Sequence, residues 1–114
     1  MRKIYAAALQ MVPGIGSARL KSLFSFFGSA ELAWQASKRD LFLCGCLDEI
    51  TYEKLLIHRQ NTDIYKLAGE WERLGIHLCE LHDPEYPQLL LHTFTPPYVL
   101  YYRGKLPTTE NRIA

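Results

Sequence analysis

The residues best suited to chemistry sit at a sharp corner near the start of the sequence. Val12-Pro13-Gly14-Ile15-Gly16 lies between two helix-forming stretches, and Ser17, Arg19 and Lys21 follow at once. Two glycines one residue apart permit a tight turn with positive φ and let the backbone come close to a ligand. The next helix would open with unpaired N–H groups and the positive end of its dipole, which suits a phosphate. Arg19 and Lys21 would add charge in its first turns. This is the logic of a helix-hairpin-helix element, which grips a nucleic-acid backbone without reading sequence. The same Gly-x-Gly also serves as a plain tight corner between helices, and both readings stand at this point. A dinucleotide site is excluded, because it needs a preceding strand and a third glycine where Arg19 stands. A Walker-type phosphate loop is absent.

Other reactive side chains are less organised. His77, Cys79, His82 and Asp83 are ligand types close together, and at strand spacing His77 and Cys79 share a face. There is no Cys-x-x-Cys, and Cys44-Gly45-Cys46 is too tight for a usual zinc knuckle. The expectation is a buried cysteine, surface histidines and no metal. Asp48 and Glu49 read as helix-start acids rather than an acid/base pair. His58 and His92 read as isolated surface residues. No Ser/His/Asp or Cys/His set appears, so no catalytic residues and no cofactor are expected. Phe24, Phe27 and Trp71 fall at core spacing, while Phe26 lies off the stripe and is the better candidate for an exposed contact. Tyr98, Tyr101 and Tyr102 are expected between sheet and helices.

The elements that would position these residues are mostly helical. Ile4, Ala8 and Met11 line one face of a helix over 3–11, which Pro13 and Gly14 end. Ser17 is read as the cap of a helix over 18–27, with Leu20, Leu23, Phe24 and Phe27 as its stripe and Gly28 as its stop. Ser29 caps a helix over 30–36, another begins near Ser37 or Lys38, and Gly45 marks a turn. Asp48 caps a helix over 49–60. Ile64, Leu67, Ala68, Trp71 and Leu74 stripe a helix over 63–74, ended by Gly75. Residues 76–81 and the β-branched, aromatic 98–102 read as strands, with turn chemistry at 83–87 and one helical turn at 88–91 between them. A boundary is expected near 60–62, dividing the chain into 1–62 and 63–114.

Composition narrows the class. The chain has 114 residues, 48% of them hydrophobic and 22% charged, enough to build one core and against long disorder. No run approaches a membrane span. The start mimics a leader, but its apolar stretch stops at Gln10 and the glycine corner follows, so it reads as fold. Three cysteines, an odd number, argue against a disulfide framework and for a reducing, cytoplasmic setting. The net charge of +1 is unevenly spread. Residues 1–39 carry Arg2, Lys3, Arg19, Lys21, Lys38 and Arg39 against Glu31, net +5. Residues 63–85 carry Asp63, Glu70, Glu72, Glu80, Asp83 and Glu85 against Lys66 and Arg73, net −4. A basic opening suggests an anionic partner, and chance clustering on a solvated surface accounts for it equally well.

The second half carries a recognisable pattern. Asp83-Pro84-Glu85-Tyr86-Pro87-Gln88-Leu89-Leu90 is followed by Pro96-Pro97-Tyr98-Val99-Leu100-Tyr101-Tyr102-Arg103-Gly104 and by Ile113-Ala114. This resembles the DNA-processing protein A family (DprA, also called Smf), which shows Tyr-Pro-x-x-Leu, then Pro-Pro-x-Val-Leu-Tyr-x-x-Gly, then a strand opening Ile-Ala. Gly14-Ile15-Gly16, Phe27-Gly28-Ser29 and the helices up to Gly75-Ile76 fit as well, so the resemblance covers essentially the whole chain.

The resemblance implies an α+β, mostly α architecture. A helical bundle of the sterile-alpha-motif-like (SAM-like) or helix-hairpin-helix type would lead into the opening β-α-β segment of a Rossmann-like core, incomplete here. The function it implies is natural transformation and DNA recombination. Family members hold single-stranded DNA and help load the RecA recombinase, and they are binding proteins rather than enzymes. Their main DNA pocket, dimer surface and RecA contacts lie in the core beyond this stretch, so those residues are not carried over. Tyr86, Pro87, Pro96, Pro97 and Gly104 match family motifs and are expected to shape the edge of the core, and the consecutive prolines invite a cis bond at Pro97. Two roles for this stretch follow. Gly14, Gly16, Ser17, Arg19 and Lys21 would make weak, sequence-independent DNA contacts, or the helices would dock a partner or the rest of the core without touching DNA.

Overall fold

The computed structural model describes residues 2–92 and 96–103. In order, the elements are α1 (Arg2–Gln10), α2 (Ser17–Phe27), α3 (Ala30–Gln35), α4 (Lys38–Leu43), α5 (Glu49–Gln60), α6 (Ile64–Arg73), β1 (His77–Glu80), α7 (Gln88–Leu91) and β2 (Val99–Tyr102). The chain is α+β and mostly helical, as expected. Among the described residues no helix is long and apolar enough to cross a membrane.

Helix starts follow capping chemistry. The Ser29 and Ser37 hydroxyls each accept an N–H at 3.1 Å, from Leu32 and Asp40. Asp48 accepts from Thr51 N at 2.7 Å, and Asp63 from Tyr65 N and Lys66 N. Each cap satisfies a donor that the first helical turn leaves without a partner. Gly28 closes α2 at φ +100, with its N–H on Phe24 O. Ser17 departs from expectation. Gly16 holds the cap position of α2, and the Ser17 hydroxyl reaches out to Pro96 O instead.

The core forms around α1. A single stripe through Ile4, Ala8 and Met11 does not describe it, because residues 4–9 are all buried while Met11 is exposed. The reason is that α1 is covered by α2, α3, α6, β1 and β2 together. Ala6, Ala7 and Ala8 have 0% exposure, and their small side chains let these neighbours approach closely. The same cluster takes in Leu20, Leu23, Ala33, Leu41 and Leu55 from α2 to α5, and Ile64, Tyr98 and Val99 from beyond residue 62. In α6, Leu67, Ala68 and Trp71 pack onto it, whereas Leu74 is exposed.

The strands and the short helix appear in the expected order, but β1 and β2 run antiparallel, with His77 opposite Tyr102 and Glu80 opposite Val99. A Rossmann crossover would set them parallel. Here α7 is four residues long and buries none of them, so it turns the chain back rather than lying across a sheet. Gln10 covers the outer side of β2. Its amide nitrogen donates to Val99 O at 2.9 Å and its oxygen accepts from Val99 N at 2.8 Å. The side chain thus mimics a neighbouring strand and blunts an open sheet edge. No peptide bond among the described residues is cis, so the bond before Pro97, whose isomer the sequence leaves open, is trans. Gly104 and the third-strand opening at Ile113-Ala114 lie outside the described residues.

Candidate nucleic-acid interface

The corner between α1 and α2 is built by burying Val12 and Ile15 while Gly14 and Gly16 stay exposed. Gly14 has φ +97, and a β-carbon there would come within 2.7 Å of Thr51 Oγ1. Both conformation and space therefore demand glycine. Gly16 is different: it is extended, at φ −99, and a β-carbon would meet nothing within 4 Å. The first turn of α2 holds no acid, so its amino end keeps its positive character toward solvent.

Arg19 is bound inside the corner. It donates to Gly14 O at 3.1 Å, to Thr51 Oγ1 at 2.9 Å and to Asp48 Oδ2 at 3.2 Å. This brackets the glycine turn to the start of α5. Hydrogen bonds from Thr51, with Arg19 beside them, lower the Asp48 carboxyl from 3.8 to about 2. Asp48 is thus a helix-start acid, as expected, and also a counter-charge for Arg19. Lys21 is exposed, at a shallow cleft that also includes Ser25, Phe26 and Cys46. Of the five candidate residues, Gly14, Ser17 and Arg19 make internal contacts, and Gly16 and Lys21 face solvent.

The motif residues of the second half meet at the same place. The buried Tyr86 donates its hydroxyl to Pro97 O at 2.7 Å, next to Pro96 O, which takes the Ser17 hydroxyl. Pro87 holds the cap position of α7. Tyr86, Pro96 and Pro97 therefore strap the approach to β2 onto the start of α2. Tyr98 is buried and meets the Phe24 ring edge-on at 5.2 Å.

Several contacts had no signal in local spacing. His58 is not an isolated surface residue. Its Nε2 lies 2.9 Å from Ala8 O and its ring meets Trp34 edge-on. Arg59 donates to Trp34 O at 2.7 Å and Ala36 O at 2.6 Å, placing a cation at the carboxyl end of α3. The ligand-type cluster also differs from its expected membership. Cys79, Asp83 and Glu85 group together, and the exposed His77 and His82 stand outside. The Lys3 ammonium sits among them, 2.7 Å from Asp83 and 3.8 Å from Glu85. The Asp83 hydrogen bond raises the Lys3 pKa. Burial would raise the Asp83 carboxyl, but Lys3 and the Glu80 N–H outweigh it and hold it below its ordinary value. The Cys79 thiol is pushed up to about 11, mainly by burial. All three cysteines are free thiols.

Fold and corner together make a helical assembly that carries a strand pair on its first helix. The chain is similar to Protein Smf of Synechocystis sp., 32% identical over 108 residues. That alignment takes in 95% of this chain and 27% of that protein, so the chain spans about a quarter of the relative's length. It bears out the resemblance to the DprA/Smf family read from the motifs. No protein-family model and no solved structure matches the chain.

Proposed function

We propose that this chain is part of a DNA-processing protein of the DprA/Smf type, which handles single-stranded DNA in the cytoplasm during natural transformation and helps load RecA. The observation that carries this reading is the similarity to Protein Smf along 95% of the chain. In this reading the whole protein is a binding protein rather than an enzyme, and a homodimer forms through the core beyond this stretch. The region described here adds a weak, sequence-independent contact to the DNA backbone. The exposed Gly16, the acid-free amino end of α2 and the exposed Lys21 support that contact.

A second reading, a docking module that does not touch DNA, is favoured by the internal engagement of Arg19 and Lys3. Fluorescence anisotropy of labelled single-stranded and duplex DNA at two salt concentrations separates the two. The expected result is weak binding that falls with salt by roughly 0.7 to 0.9 log units per log unit for each phosphate contact. Lys21→Ala reduces it, and Arg19→Ala, whose guanidinium is already bracketed, leaves it close to unchanged. Absence of binding, or binding indifferent to salt, removes the DNA contact from the hairpin and leaves the docking reading.

A further inference from the structure

A cleft of ≈ 680 Å³ lies between α1, α6 and β1, but nothing around it indicates an occupant. A second cleft, of ≈ 590 Å³, is chemically more specific. It opens between the α2–α3 corner and the end of β1. Phe24 and Tyr98 supply aromatic walls, Leu32 an aliphatic one, and Glu31, Glu80 and His82 the polar groups. Its size falls in the range of about 300–1,000 Å³ that holds small ligand groups.

The charge in this cleft is incompletely answered. The Glu80 side chain is 16% exposed, and its ion-pair partner is His82, 3.8 Å away and itself 69% exposed. Burial raises the Glu80 carboxyl above its ordinary value, with Asp83 adding to the effect and His82 and Lys3 opposing it. Lys3 is engaged by Asp83 and Glu85. Tyr98, across the cleft, is also pushed up, by burial and then by Glu80 and Asp83. Burial leads at both groups, and the Glu80 carboxylate also acts on Tyr98, which directly precedes β2. Glu31, in the first turn of α3, adds an exposed carboxylate at the mouth.

A negative cleft with aromatic walls suits one chemistry above others. A guanidinium is planar and weakly hydrated, stacks on ring faces and pairs with carboxylates through a fork of donors. We infer that this cleft receives an arginine side chain of a partner polypeptide, its guanidinium directed to Glu80 and Glu31 and its stem against Phe24 and Tyr98. The inference gives the docking reading a partner chemistry and rests on that reading. It uses no residue of the Gly14–Lys21 hairpin, so the DNA titration and the test below fail separately.

The test is an amide-shift NMR titration of the full chain with Nα-acetyl-arginine methylamide, beside its uncharged citrulline analogue. The expected result is saturable shifts at Leu32, Glu80 and Tyr98 with the arginine probe and none with the citrulline probe. Glu80→Gln is expected to weaken binding by about five-fold or more, and the exposed Glu31→Gln by about two-fold, as for loss of partly desolvated and exposed charge partners respectively. A dispersed spectrum from Glu31→Gln keeps the test readable if Glu80→Gln disturbs the fold. Equal shifts with the citrulline probe, or unchanged affinity in both variants, overturn the assignment. A chain that captures a partner polypeptide while failing this titration retains the docking reading and loses this site.

Discussion

The hairpin corner and the Glu80 cleft use charge in opposite ways. At the corner, Arg19 reaches Gly14, Thr51 and Asp48, and the network closes on itself. In the cleft, Glu80 meets one distant imidazole and faces open space. The corner carries the Gly-x-Gly and the basic residues that suggest a ligand site, yet much of that chemistry serves the fold. The cleft carries no motif, yet its charge is left available. Residue type alone does not separate these cases; what the neighbours already satisfy does.

The comparison is broken most directly at its most rigid point. Gly14→Ala must adopt φ +97 and crowd Thr51, whereas Gly16→Ala enters open space. Denaturant unfolding is expected to show a loss of about 2–4 kcal/mol for the first and about 0.5 kcal/mol or less for the second. Equal losses would mean that the corner does not depend on the Thr51 contact.

Arg59 extends the idea of internally satisfied charge to α3. Replacing it by Ala removes two short bonds to the Trp34 and Ala36 carbonyls and is expected to cost about 1.5–3 kcal/mol. The exposed Arg39→Ala should stay within about 0.5 kcal/mol, and thermal or denaturant melts compare the two.

The smallest effect sharpens the corner itself. Asp48 has its carboxyl lowered from 3.8 to about 2, so its charge stabilises the fold above the ordinary value and is lost as pH falls through about 2. Asp48→Asn keeps a capping oxygen and removes the charge. The variant should be less stable than the parent at pH 5, with the gap closing as both are titrated from pH 4 to pH 2. A gap independent of pH would assign the effect to shape rather than charge.

What the sequence disclosed was local. The caps at Ser29 and Asp48 act within three residues, so spacing shows them. Gly28 likewise ends a helix whose stripe is already visible. The corner at Gly14 was legible as a turn, but the residue that demands glycine there, Thr51, is far along the chain. Arg19 looked free because Asp48 and Thr51 come to it only through folding. His58 looked exposed because its partner is a carbonyl of α1, and carbonyls leave no mark in a sequence. Antiparallel pairing was hidden because strand direction depends on how the connection packs, and α7 packs little. The cleft was invisible because its walls come from α2, α3, β1 and the residue before β2 at once.

The burial of α1 has a consequence for biosynthesis. α1 leaves the ribosome ahead of every element that covers it, and Gln10 meets its Val99 partner 89 residues later. Until β2 emerges, the apolar faces of Ile4, Leu9 and Val12 have an incomplete cover, and the long loop that brings the ends together has yet to close. The nascent chain therefore carries its most adhesive segment longest without its final partners. Holding factors at the exit tunnel would act on that segment, and a pause in translation just short of β2 would lengthen the exposure.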